Sequence, residues 1–171
     1  AAAVAMSGEL ADCFGSKMEG IGIIVESVKE VYPDAIFYGT DGTFHREAVP
    51  QLAAANWLAS ADLLRTRYPK AVLLDIGSTT TDIIPLPEFS RLLGLTDLGR
   101  LQRGYLLYTG LLRTSLATRI HTVVLEGIRT PTCAEHFAIA ADAHLVLGHI
   151  TPRIYTCDTP DRGEKNVGAA L

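Results

Sequence analysis

The segment that most constrains this chain is Leu74-Asp75-Ile76-Gly77-Ser78-Thr79-Thr80-Thr81-Asp82-Ile83-Ile84. The run Ala71 to Ile76 is apolar except for Asp75 and reads as a buried strand. Thr81 to Leu86 reads as a second strand, with Gly77 to Thr80 as the tight turn between them. A Gly there permits a sharp turn and a close backbone approach. Four hydroxyl residues follow it, and two aspartates bracket it. Such a loop suits a phosphate carried with a divalent cation. Backbone N–H groups and hydroxyls hold phosphate oxygens, and carboxylates at strand ends hold Mg²⁺ directly or through water. Gly77, Ser78, Thr79, Thr80 and Thr81 are therefore the candidate phosphate ligands, and Asp75 and Asp82 the candidate metal ligands. A Thr-rich hairpin capped by aspartates is the plainer reading, since Thr is a common strand residue.

Around this unit the pattern alternates helix and strand, which argues an α/β fold. Ile21, Ile24, Val25, Val28 and Val31 follow helical spacing within Lys17 to Tyr32, and Pro33 stops that helix. Ala35 to Gly39 is β-prone, and Asp41-Gly42 predicts a hairpin into Phe44. Pro50 to Tyr68 predicts one helix with Leu52, Ala55, Leu58, Ala59 and Leu63 on its buried face. His121 to Leu125 reads as a strand, Glu135 to Leu147 as a buried helix, and the tail from Thr156 as turn-rich.

Hydrophobic residues make up 48% of the 171, which excludes a disordered chain. The net charge of -4 lacks the basic footprint of a nucleic-acid binder. The apolar runs fall short of a bilayer span. Cys13, Cys133 and Cys157 form no CxxC pair, which fits a reducing cytoplasm.

Several other residues have two readings each. Glu9 and Asp12 are candidate catalytic acids that could bind Mg²⁺ or act as a base, or they are a helix N-terminal acid pair. Asp41 faces a cleft or serves turn chemistry. Trp57 is core or a stacking platform. Arg113 is an anion-binding candidate or a solvated loop residue. Asp142, inside an apolar helix, needs a partner and either holds a metal or caps a loop. His144 and His149 read as structural.

The pattern DIGSTTTD resembles the second phosphate loop of the actin–Hsp70–sugar kinase superfamily, in the DxGxTxTD form of its hydantoinase A/oxoprolinase branch. Met6 to Phe14, Ala54 to Ala59, Tyr108 to Thr114 and Ala138 to Gly148 are similar to a methanofuran-biosynthesis subgroup linked to tetrahydromethanopterin C1 transfer. The resemblance implies ribonuclease H-like (actin-like ATPase) lobes with a mixed sheet flanked by helices. It implies residues 1–69 as the end of the first lobe with a helical and hairpin insertion, and 70–171 as the start of the second lobe. The family's first DxGG-type loop and its closing glycine-rich turn have no counterpart here, so a chain truncated at both ends is expected.

The implied reaction is a transfer. A furanmethanol diphosphate is attacked by the phenol of a γ-glutamyltyramine-like substrate, diphosphate leaves, and an aryl ether forms. Glu9, Asp12, Asp75 and Asp82 are the implied catalytic set, with Mg²⁺ as cofactor and Arg113 beside the phosphates. An ATP-dependent hydrolase or small-molecule kinase, and a non-catalytic phosphate-binding domain, are the alternatives. The sequence leaves ATP use and homo-oligomerisation open.

Overall fold

The Lys17–Val31 helix, α1, forms where the spacing predicts. Ser16 caps it by accepting the Glu19 N–H, while Glu19 reaches back to accept the Gly15 N–H at 2.8 Å. The computed structural model describes residues 2–170 and divides into two compact units: residues 2–75 with 82–105, and residues 76–81 with 106–170. Ala1 and Leu171, the ends on which the expected truncation turns, lie outside the described residues. The architecture is mixed α/β with small sheets.

In the first unit a short strand, β1 (Ala3–Val4), pairs in parallel with β2 (Ile36–Tyr38). β2 turns back antiparallel onto β3 (Phe44–His45), with Tyr38 opposite Phe44. The turn between them is the Asp41-Gly42 hairpin: Gly42 sits at φ 77° and Asp41 accepts the Thr43 N–H. Ile21 and Val25 of α1 bury against Phe37, Leu52 and Ala35.

The single helix predicted from Pro50 to Tyr68 is two pieces. Pro50–Leu52 is one 3₁₀ turn, Ala54 then adopts φ 46°, and α2 runs from Asn56 to Arg65. The break rotates the face: Leu52, Ala55 and Leu58 are buried as expected, but Leu63 is 72% exposed. Trp57, Leu58 and Ala61 now carry the packing, against Ile84, Leu86 and Leu92. Trp57 is core.

β4 (Val72–Ile76) and β5 (Thr81–Pro85) stand where predicted and are neighbours in a second sheet. The expectation that β4 is buried fails. Val72, Leu74 and Ile76 share one face by the two-residue period and are all more than half exposed, while Leu73 on the other face packs on the core. Two short helices, α3 (Phe89–Leu92) and α4 (Asp97–Gln102), finish this unit.

The second unit holds β6 (Leu106–Leu107) and a hairpin of β7 (Thr122–Leu125) and β8 (Ile128–Pro131). Its two-residue turn, Glu126-Gly127, has positive φ at both positions, as a tight hairpin of this kind requires. The helix predicted from Glu135 to Leu147 is shorter, α5 (Ala140–Val146). Ile139 and Leu145 bury with Leu112, Ile150 and Tyr155. A last turn, α6 (Val167–Ala170), interrupts the turn-rich tail. No helix among the described residues is long and apolar enough to cross a membrane.

Candidate functional site

The phosphate-loop candidates in the second unit are tied down by the segment 109–114. The hairpin closes on itself, with the Gly77 N–H donating to Thr80 O at 2.8 Å. The Leu111 N–H donates to Gly77 O at 2.9 Å, and the N–H groups of Leu112 and Arg113 both donate to Ser78 O, at 3.1 and 2.8 Å. The Thr81 hydroxyl donates to Thr109 O at 2.6 Å. The carbonyl oxygens of Gly77 and Ser78, which would repel an anion, are thus turned toward 111–113. Gly110 makes the approach feasible: a Cβ there would lie 2.4 Å from Thr79 N and 2.5 Å from Ser78 O. Thr114 closes the turn, its hydroxyl oxygen taking the Gly110 N–H at 2.7 Å.

The backbone of Arg113 is therefore fixed on Ser78, and its exposed side chain lines a cavity of about 340 Å³ with His136, Ile139, Cys157 and Asp158. Gly77, Ser78, Thr81 and Arg113 are brought together by these bonds. Gly110 and His136 belong beside them; the sequence shows Gly110 only as a loop glycine and His136, with Glu135, only as a polar residue at a helix start. The signal for Gly110 lies in Thr109-Gly110-Leu111-Leu112-Arg113, within the Tyr108 to Thr114 stretch, where the glycine has no visible task until its neighbour is known.

The acidic candidates lie in the first unit. Asp82 on β5 is ion-paired with Arg100 of α4, and Arg100 also binds Asp97 at 2.9 Å. The guanidinium lies 4.6 Å above the Trp57 ring. Arg100 is buried, and its Nε has no hydrogen-bond partner. Burial pushes the Asp82 carboxyl above the usual carboxylate range; Arg100 opposes this, and the charges of Asp75 and Asp97 add to it. Asp75, on the neighbouring strand, is exposed. Sequence reasoning missed Arg100 because its partners converge only in the fold.

Among the described residues no group of three or more His, Cys, Asp and Glu side chains forms a metal shell. Asp82 and Asp97 share the Arg100 guanidinium, and Asp75 is near enough to Asp82 for its charge to act on that carboxyl. Mg²⁺ takes hard oxygen donors and keeps several waters, so one or two carboxylates with phosphate oxygens are enough to hold it. Asp75 and Asp82 are the residues that would hold it.

Glu9 is 2% exposed and its Oε2 has no partner, whereas Asp12 is exposed. Nothing described brings these two to the loop. Asp41 serves its turn: burial raises its carboxyl, but His45 and Thr43 hydrogen bonds outweigh that and hold it below the usual range. Asp142 caps rather than ligates. It accepts the Ile139 N–H at 2.9 Å and the Tyr155 hydroxyl at 2.6 Å. His144 and His149 meet each other, Nδ1 to Nδ1, at 3.1 Å.

Among known proteins the chain is 36% identical over 176 positions to the (4-{4-[2-(γ-L-glutamylamino)ethyl]phenoxymethyl}furan-2-yl)methanamine synthase of Methanocaldococcus jannaschii, covering 99% of this chain and 53% of that one. It is 46% identical over 90 residues to the synthase of the same name from Methanococcus vannielii, covering 53% of this chain and 40% of that one. The chain thus spans about half the length of the first of these relatives. A family model described as hydantoinase/oxoprolinase matches residues 1–170. The chain belongs to the hydantoinase/oxoprolinase family.

Proposed function

We propose that this chain carries the diphosphate-handling part of a transferase of methanofuran biosynthesis, which joins a furanmethanol diphosphate to the phenol of a γ-glutamyltyramine-like substrate. The observation that carries the reading is the Gly77–Thr81 loop clamped by the Thr109–Arg113 segment, in a chain similar to two synthases whose names describe that aryl ether. The phenol oxygen forms a bond to the furan methylene carbon. The bond from that carbon to the diphosphate oxygen breaks, and its electron pair leaves with diphosphate. The phenol proton goes to a carboxylate of the set Glu9, Asp12, Asp75 and Asp82.

Each group of residues has a task. Within the loop Gly77 to Thr81, Ser78, Thr79 and Thr80 hold the departing phosphates with N–H and O–H donors, Gly77 and Thr81 fix the loop's shape through their own bonds, and Arg113 adds a bidentate cation. Asp75 and Asp82 hold Mg²⁺, which when bound neutralises charge on the leaving diphosphate. Arg100 fixes the Asp82 carboxylate in one orientation. The lobes are read as actin-like, with the assembly state open.

The test is calorimetric titration of the chain with inorganic diphosphate and Mg²⁺. Thr79→Ala and Thr80→Ala should each weaken binding about tenfold, as loss of a hydrogen bond to a charged group does, with unchanged melting. Asp75→Ala should weaken binding only when Mg²⁺ is present. Equal affinity in all four proteins would overturn the reading. Membership of the hydantoinase/oxoprolinase family supports a second reading, an ATP-dependent hydrolase or kinase on the same loop. Turnover that requires ATP would favour it.

A further inference from the structure

A second cavity of the same compact unit has the opposite character to the one lined by Arg113. It measures about 380 Å³ and lies against the β7–β8 hairpin. Its walls are Leu116, Ile120, Val123, Leu125 and Phe137, and its one carboxylate is Glu135. No Lys, Arg or His lines it. Two hydroxyls in the lining are already committed: Thr132 donates to Ile120 O at 2.5 Å and Thr130 to Ile128 O at 3.2 Å. Apart from the Cys133 thiol, a weak hydrogen-bonding group, Glu135 is the side chain in the lining left to recognise a polar atom, and the one that carries a charge. Phe137 is 75% exposed and Leu125 57%, so the apolar wall offers an aromatic ring and an aliphatic edge to whatever enters. Pockets of this kind, apolar with one placed charge, bind small molecules by burying a ring and orienting it through the charge.

We infer that this cavity binds the aminomethylfuran end of the substrate, with the flat ring against Phe137, Leu125 and Ile120 and the ammonium on Glu135. The inference rests on the function proposed above. Charge complementarity selects this end. The synthases to which the chain is similar make a product whose name ends in a furan ring bearing a methanamine. That end is a small aromatic ring with a primary amine, cationic at neutral pH. The γ-glutamyl end is a zwitterion, its ammonium beside a carboxylate that Glu135 repels, and it has no ring of its own to lay on the apolar wall. The phosphate end belongs with the hydroxyl loop and Arg113.

The experiment uses the whole chain and two probes of equal shape, furfurylamine and furfuryl alcohol, with binding followed through backbone amide shifts. The amine should bind about three- to fivefold more tightly than the alcohol, the range for an exposed ion pair, with shifts at Ala117, Leu125 and Ala138. Glu135→Gln should erase that preference and leave alcohol binding unchanged. Phe137→Ala, at an exposed position, should weaken both probes. Equal affinity for amine and alcohol, a preference that survives Glu135→Gln, or shifts confined to other residues would overturn the inference. Inorganic diphosphate is titrated into the same samples. Diphosphate binding without amine binding removes this inference and leaves the proposed function. Amine binding without diphosphate binding removes the proposed function.

Discussion

A Cβ on Gly110 would stand 2.4 Å from the backbone nitrogen of Thr79, closer than any side chain tolerates. The obstruction is backbone, so no side-chain rotation relieves it. Gly110→Ala should push the 109–113 segment off the loop and break the bonds to Gly77 O and Ser78 O. The expected cost is about 1–3 kcal/mol, the usual range for overpacking, with loss of diphosphate binding beyond what stability explains. Gly77→Ala is the milder control, since its Cβ would meet Thr80 O at 3.3 Å. Denaturant midpoints and diphosphate titrations of both variants check this, and a Gly110→Ala protein indistinguishable from wild type would refute it.

Arg100 and Asp82 should behave as one unit. Replacing Arg100 by Met keeps apolar contact with Trp57, gives up the cation–π interaction and strands a largely buried carboxylate. Breaking such a pair from one side costs about 3 kcal/mol. Arg100→Met with Asp82→Asn together should recover most of that loss, because neither charge is then buried alone. Urea denaturation of the four proteins gives the coupling energy. Simple additivity would show that the pair is incidental.

What the residues reveal alone and what they withhold divide along physical lines. The α1 helix and the Asp41-Gly42 hairpin are legible because a cap, a period and a turn residue act within a few positions. The strand–loop–strand at Val72 to Pro85 is legible for the same reason. Exposure of Val72, Leu74 and Ile76 is not, since an apolar run looks the same whether or not anything covers one of its faces. The break at Ala54 is invisible in an Ala-rich run because its cause is packing of Leu52 into a different cluster from Leu58. Hairpin β7–β8 is half legible: His121 to Leu125 reads as a strand, while Glu126-Gly127 shows its turn character only beside the returning strand. In the candidate site the loop was readable as chemistry. Arg100 and Gly110 were not, because each acts through a neighbour distant in sequence.

Asp142 gives a test of capping against metal ligation. Its two oxygens are taken by the Ile139 N–H and the Tyr155 hydroxyl, both in buried surroundings. Tyr155→Phe removes one bond to the carboxyl and should cost about 1.5–3 kcal/mol. Asp142→Ala loses both bonds, strands a buried hydroxyl, and should cost more. Asp142→Asn should fall between. Chelator should leave the wild-type melting curve unchanged. A chelator-induced drop that Asp142→Ala abolishes would restore the metal reading.

Alkaline titration follows from the two buried phenols. Burial raises the Tyr155 hydroxyl well above the usual tyrosine range, and its bond to Asp142 adds to this. Burial and the 2.8 Å bond to Asp62 do the same for Tyr38. Ionising either would set a phenolate against a carboxylate. The folded protein therefore keeps protons that the unfolded chain releases above about pH 10. The stability this contributes is complete below the unfolded value and is lost as pH rises from there toward the folded values. Part of the phenolate absorbance should accordingly appear late, together with loss of helical circular dichroism. Tyr38→Phe and Tyr155→Phe should each remove a share of that late change. A single early titration of all 6 tyrosines in a protein still folded would contradict it.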